Sequence, residues 1–160
     1  MERKMRRFKQ ELPDIESRRI LTIGKYAVWA VSGDDNYPYA VPVNYVYDGT
    51  VIYVHCARQG HKIDSIIRNP KCSMCIVEKD DVVPDEFTSY FRSVIVFGKA
   101  EIVEDEAGLK ALQLLCDKYS PGIDPEEEIA KFLKAVCIVR ICIDSISGKE
   151  AIELTRQRKS

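Results

Sequence analysis

Apolar positions along the chain follow two periods, and the switches between them predict the order of elements. From Asp14 to about Thr22 the spacing is helical, with Asp14 placed to cap the first turn and Gly24 just past the last. The period then becomes two. Tyr26 to Val31 reads as a strand and Ser32-Gly33-Asp34-Asp35-Asn36 as a turn. Pro38 to Tyr47 reads as one strand, with Tyr39, Val41, Val43, Tyr45 and Tyr47 alternating against Ala40, Pro42, Asn44 and Val46. Asp48-Gly49 signals a hairpin, because glycine accepts the positive φ of a tight turn, so Thr50 to Cys56 is the antiparallel partner. Pro42 cannot donate to a ladder. That places its strand at an edge or bulge and leaves backbone groups of Val43 to Tyr45 to face a ligand.

Helical spacing returns at Ile63, Ile66 and Ile67 and stops at Asn69-Pro70. Cys72 to Glu78 is a further strand, Lys79 to Glu86 an exposed acidic loop, and Tyr90 to Glu104 a long strand. Leu109, Leu112, Leu115, Cys116 and Tyr119 mark an amphipathic helix, Ile129, Phe132 and Leu133 another, and Val136 to Ile146 the last strand. Strands joined largely by tight turns exclude a doubly wound parallel sheet, which needs a helix between each pair. A mainly β (α+β) architecture, an antiparallel barrel with peripheral helices, fits this order.

The length of 160 residues allows one domain with a substantial core and is short for two. With 24 basic and 25 acidic residues the net charge is -1, which gives no global electrostatic reason to expect nucleic acid or an anionic membrane as partner. The basic stretches at the ends, Glu2 to Arg7 and Arg156 to Lys159, read as solvated termini. No apolar run approaches membrane-spanning length, and the charged first residues are followed by no apolar signal core, so a cytoplasmic protein is expected. The six cysteines do not form a metal pattern. Cys72 and Cys75 lie in a strand, where their odd spacing sends the side chains to opposite faces, and zinc knuckles need a turn there. Free thiols packed as small hydrophobes are expected, and no metal site.

Candidate chemistry concentrates in Tyr53-Val54-His55-Cys56-Ala57-Arg58-Gln59-Gly60-His61-Lys62, an apolar strand running through a glycine turn into a helix start that carries a lysine. The first-turn N–H groups of a helix lack partners, the helix dipole favours negative charge there, and an ammonium adds a full positive charge. A phosphate is the natural guest. Both histidines of the chain flank this turn. Each residue also has a plainer reading: Lys62 as a solvated helix residue, His55 as a core histidine, His61 as part of the first turn, Arg92 as the partner of an acidic neighbour, and Trp29 as core or interface. No Ser-His-Asp arrangement, H-E-x-x-H or Walker loop supports a hydrolase, zincin or nucleoside triphosphatase.

Three segments in order, Pro38-Tyr39-Ala40-Val41-Pro42-Val43-Asn44-Tyr45, Ile52 to Ala57 with Gly60-His61-Lys62, and Tyr90 to Gly98, resemble the split-barrel flavin proteins related to pyridoxamine 5′-phosphate oxidase, most closely the nitroimidazole-resistance (Nim) group. The resemblance covers about residues 14 to 148 of a single domain spanning 1–160. It implies an antiparallel split β-barrel and an FMN held at the interface of a homodimer. On that pattern Gly60, His61, Lys62, Arg92 and Ser93 serve the phosphate, arginine through its planar fork. Pro42, Val43, Asn44 and Tyr45 lie along the ring and ribityl chain, and His55, Cys56 and Ala57 stand beside the cofactor. Cys56 departs from the commoner pattern, which has a Ser or Thr hydroxyl, and a thiol is a weak donor.

The implied activity is an FMN-dependent oxidoreductase that passes electrons from a reduced small-molecule donor to a small acceptor such as a nitroaromatic, with His55 as the catalytic candidate. Two other readings stay open: a flavin carrier or redox sensor without turnover of its own, and a split barrel that uses FAD, haem or a deazaflavin. The chain lacks the basic C-terminal substrate clamp expected of pyridoxamine phosphate oxidation itself.

Overall fold

The computed structural model describes residues 4–160, so Met1, Glu2 and Arg3 of the basic opening lie outside the described residues. In chain order the elements are α1 (Asp14–Ile23), β1 (Ala27–Ser32), β2 (Pro38–Val43), β3 (Val46–Tyr47), β4 (Val51–Ala57), α2 (His61–Arg68), β5 (Lys71–Val83), β6 (Thr88–Val103), α3 (Asp105–Tyr119), α4 (Glu126–Ala135), β7 (Val136–Glu150) and α5 (Ile152–Lys159). The seven strands form one antiparallel sheet in the order β2-β1-β5-β6-β7-β4-β3. β2 and β3 stand at opposite ends of this order yet are joined in sequence by Asn44 and Tyr45 alone. A sheet whose outermost strands are tied so closely must curl onto itself, and it closes as a barrel with one ladder missing at that seam.

Strand alternation sorts side chains to the two sides of the wall. Trp29, Val54, Cys56, Met74, Ile76, Val94, Val96, Val139 and Ile141 fill the interior, and Ile20 and Leu21 of α1 plug one end. Complete burial of Ile20 and Leu21 contributes about 1.5–3 kcal/mol each as an upper estimate, enough to dock a helix too short to persist alone. Outside the wall, Val46, Tyr53 and Ile138 pack against Ala111, Leu112 and Leu115 of α3 and Ile129 of α4 in a second apolar layer. The Asp48-Gly49 hairpin forms as its residues predict. Gly49 has φ +100°, and Asp48 accepts hydrogen bonds from the Thr50 and Val51 N–H groups and from the Thr50 hydroxyl. Burial alone would raise the Asp48 carboxyl, but these bonds and Lys110 outweigh it and hold the pKa at about 2.

Four local expectations change. The strand expected over Pro38 to Tyr47 breaks at Asn44-Tyr45, because the segment leaves β1 and joins β4 across the seam. The acidic loop at Lys79 to Glu86 is mostly a two-stranded ribbon, Lys79–Val83 against Thr88–Arg92. It extends beyond β1 with Asp80, Asp81 and Val82 exposed and Thr88 to Arg92 half-buried throughout, so it carries no apolar alternation to read. Asp14 makes no capping bond; it is the first helical residue and pairs with Arg18 at 2.7 Å. The last strand runs past the expected Ile146 to Glu150 and leads into α5, in which Leu154 and Thr155 are buried while the basic residues Arg156 to Lys159 are exposed, as expected. All six cysteines are free thiols; Cys72 is buried and Cys75 half-buried on the opposite face of β5. No helix among the described residues is long and apolar enough to cross a membrane.

Candidate functional site at the barrel seam

β3 pairs with β4 through Val46 with Tyr53 and Tyr47 with Ile52. Continued two residues further, that register brings Asn44 level with His55. The ladder stops there because β2 turns away to pair with β1, Pro42 opposite Val28 and Val43 opposite Ala27. The strands therefore part into a cleft. Asn44 and His55 line a cavity of about 240 Å³ in it, walled on the other side by Leu112, Leu115 and Tyr119 of α3 and Phe132 of α4. His55 projects from the outer face of β4, its ring centroid 6.2 Å from that of Phe132. Burial lowers its pKa from the ordinary histidine value, so the imidazole is neutral at pH 7.

Tyr45 was expected to lie along a flavin ring, but its side chain points into the core. The ring is fully buried and the hydroxyl donates to the Leu21 carbonyl at 2.7 Å. Gly24 makes this possible, since a Cβ there would come within 2.5 Å of the Tyr45 hydroxyl. The Tyr45 backbone is held from α3. Its N–H donates to the Tyr119 hydroxyl at 3.0 Å, and the Lys118 ammonium donates to its carbonyl at 2.9 Å while sitting 4.1 Å from the Tyr45 ring centroid. The Tyr119 hydroxyl bonds the Lys25 carbonyl at 2.7 Å, which also accepts from the Asn44 amide at 3.1 Å. α3 thus clamps the seam where the sheet supplies no ladder. Periodicity places Tyr119 on the apolar face of its helix, but no local signal marks a hydroxyl that reaches residues so far away in sequence.

The clamp has a pH signature. Burial brings Lys118 down from the ordinary lysine value to about 8. Between pH 8 and the ordinary lysine value of 10.5 the unfolded chain binds more protons at this residue than the folded one, so its contribution to stability rises with pH. Urea midpoints of the wild type should gain on those of Lys118→Met as pH rises through this window. A constant difference would show an ordinary solvated lysine.

At the mouth of the cleft β4 ends at Ala57, which is exposed, and the chain turns through Gly60 into α2. Gly60 has φ +119°, a conformation L side chains rarely adopt, and a Cβ there would meet nothing within 4 Å. The start of α2 has no side-chain cap, so the N–H groups of its first turn face open space beside Lys62, which makes no hydrogen bond or ion pair among the described residues. These features fit a phosphate. The His61 side chain is turned away, stacked on Tyr39 with centroids 4.1 Å apart and 3.8 Å from the Asp34 carboxylate. It ties α2 to β2 across the cleft.

Asn44 and His55 share the cavity; Ala57 ends the strand that carries His55, and the Gly60–Lys62 turn follows it in the chain without lining that cavity. The Cys56 thiol faces the barrel interior, opposite to His55 on the strand, and burial pushes its pKa up to about 11. Val43 turns its side chain to the core, while Pro42 is exposed on the outer face of the edge strand. Arg92 and Ser93 do not join this group within one chain. They pair with Glu150 and Lys149 at the far end of β7, whereas Ala57 pairs with Val136 at its beginning. The Arg92 guanidinium is already engaged, its Nε 3.1 Å from Glu150 and its Nη1 4.0 Å from Glu78.

A closed antiparallel sheet with one open seam, a helix start at the mouth of that seam and a helical layer over its outer side define a split-barrel protein of the flavin-binding type. The chain belongs to the pyridoxamine 5′-phosphate oxidase family, whose model matches residues 13–150. Solved structures with the same fold include a candidate 5-nitroimidazole antibiotic resistance protein from Bacteroides thetaiotaomicron, with 21% identity over 88% of this chain and 86% of that one and a TM-score of 0.74. An FAD and haem binding protein from Mycobacterium smegmatis has 21% identity over 89% of this chain and 73% of that one, with a TM-score of 0.75. An FAD-binding protein from Mesorhizobium loti has 27% identity over 88% of this chain and 96% of that one, with a TM-score of 0.65. No curated protein sequence matches the chain.

Proposed function

We propose that this protein binds FMN along the seam and acts as an oxidoreductase, passing electrons from a reduced donor to a small acceptor such as a nitroaromatic. The observation that carries this reading is the uncapped start of α2, with its open Gly60 turn and a Lys62 that makes no pair among the described residues, following directly on the strand whose His55 lines a cavity with Asn44. FAD offers the same phosphate chemistry on a longer ligand, and the Mesorhizobium loti and Mycobacterium smegmatis proteins of this fold bind FAD. The bound flavin supplies the electron chemistry. First-turn N–H groups and Lys62 hold the phosphate, and the Asn44 carbonyl oxygen, its amide being committed to Lys25, is left to accept a hydrogen bond. Leu112, Leu115 and Phe132 give the cavity an apolar wall, and His55 takes or gives a proton at an imidazole nitrogen. The free cysteines fit a reducing compartment such as the cytoplasm.

The freshly purified protein should carry or take up FMN and prefer it to riboflavin. Lys62→Ala should weaken FMN by ~1–3 kcal/mol, the scale of a lost charge-assisted hydrogen bond, with an unchanged urea midpoint. Equal affinities for riboflavin and FMN would remove the phosphate site, and unfolding of the variant would make Lys62 structural.

The functional unit in this reading is a homodimer. The outer sheet face carries two uncharged cross-strand rows, Pro42-Val28-Cys75-Ile95 and Ala40-Ala30-Ser73-Phe97. Val28 and Phe97 are left 37% and 55% exposed, more apolar surface than a solitary barrel has use for. Ser93 shares this face, so a second copy seated on it is the means by which Ser93 meets a cofactor held by another chain. Phe97→Glu should convert the sedimenting species to a monomer at micromolar concentration. A wild-type protein that already sediments as a monomer with FMN bound would exclude the dimer.

A further inference from the structure

Cys56 of β4 and Cys137 of β7 stand directly opposite one another in the ladder, and both side chains face the barrel interior. Directly opposed residues of an antiparallel pair hold their Cα atoms ~4.5–5.5 Å apart, inside the ~4.4–6.8 Å that a disulfide spans. No other cysteines are partners in the strand registers. The two sulfurs are near enough to influence each other's ionisation, and each has a cation nearby, Lys62 for Cys56 and Arg58 for Cys137. Cys137 and Arg58 also line a cavity of about 740 Å³ between the start of β7 and helices α3 and α4. The phosphate site uses neither thiol.

We propose that Cys56 and Cys137 are a redox-responsive dithiol, closed to a disulfide by hydroperoxides and reopened by thiol reductants. One thiolate attacks the terminal peroxide oxygen; the O–O bond breaks, the departing alkoxide takes a proton and leaves as alcohol, and the sulfur becomes a sulfenic acid. The second sulfur attacks that sulfenyl sulfur, the S–S bond forms, the S–O bond breaks, and hydroxide leaves as water with the second thiol's proton. Two thiols are oxidised by two electrons and one hydroperoxide is reduced to alcohol and water. Burial raises both thiols above the ordinary cysteine range, so closure is slow and answers sustained oxidant rather than a brief pulse. The bond joins the end of β4 to β7 immediately before the turn that leads to Lys62.

The test uses the whole protein, reduced, desalted and held with tert-butyl hydroperoxide, then denatured, alkylated with N-ethylmaleimide and digested without reductant. The expected result is a peptide pair joined through Cys56 and Cys137, lighter by two hydrogen atoms and separated by dithiothreitol. In Cys56→Ser and in Cys137→Ser the link should vanish and the remaining thiol should accumulate as a sulfenic acid that dimedone captures. Recovery of both residues as alkylated thiols after overnight exposure, or linkage of either to Cys72, Cys75, Cys116 or Cys142, would overturn the proposal. Mapping the wild type decides this even if a serine variant fails to fold, and the outcome does not depend on flavin.

Discussion

His55→Ala should lower the rate of nitroaromatic or quinone reduction by about a hundred- to ten-thousandfold while leaving FMN bound, the span seen when general acid–base assistance is removed. The expectation follows from where the residue stands. His55 shares its cavity with Asn44, on the outer side of the wall, and the Gly60–Lys62 turn proposed for the phosphate lies beyond the end of its strand. Removing the imidazole therefore spares the anchoring charge. Because burial lowers its pKa, the neutral form predominates at pH 7, and the rate should change as pH falls and the imidazole gains its proton, a change absent from the variant. Rates measured with chemically pre-reduced flavin keep donor binding out of the comparison. Equal rates in both proteins would assign His55 to packing against Phe132, and no turnover above free FMN in either would make the protein a flavin carrier.

Glu150→Ala should cost about 3–5 kcal/mol of stability, the usual penalty for removing one partner of a buried ion pair. Glu150 is fully buried. One carboxylate oxygen accepts from Arg158 at 2.8 and 2.9 Å and the other from Arg92 at 3.1 Å. Arg92 also faces Glu78, whose other oxygen is 2.6 Å from Arg19, so the carboxylate links α5, β6, β5 and α1 at one end of the barrel. Without it two guanidinium groups face each other with no counter-charge between them. Glu150→Gln keeps the volume and removes only the charge, so a similar loss there would assign the effect to electrostatics rather than to a void. A fall of under ~1 kcal/mol in urea unfolding would show that the arginines find water instead.

The two sites differ in how far they could be read from sequence. The Asp48-Gly49 hairpin, the glycine turn before α2 and the helical spacing of α2, α3 and α4 are local matters of backbone preference and periodicity, and they are legible because each is settled within a few residues. The phosphate candidate is legible for the same reason, since a strand, a glycine of positive φ, a helix start and a lysine follow one another in the chain. The expected strand from Pro38 to Tyr47 was misread at Asn44-Tyr45 because its alternation continues unbroken through a place where the partner changes from β1 to β4. Hydrophobic period records which face a residue takes and carries no record of which strand lies beside it.

What lay beyond sequence reading is whatever depends on distant segments meeting. Arg92 reads equally as a phosphate ligand and as the partner of an acid, and its geometry with Glu150 arises only when β6 and β7 lie side by side. Helix α5 leaves little signal in the sequence, because its one buried apolar position, Leu154, and the arginine that holds Glu150 are scattered among exposed charges that give it little amphipathic pattern. The Tyr119 and Lys118 clamp on the seam is of the same kind. Elements, turns and the candidate anion turn are properties of neighbouring residues, settled by backbone torsion and local charge. The seam, its helical cover and the division of site residues between the two ends of β7 come from closing the sheet into a barrel, where burial and unsatisfied backbone groups are matched across the whole chain.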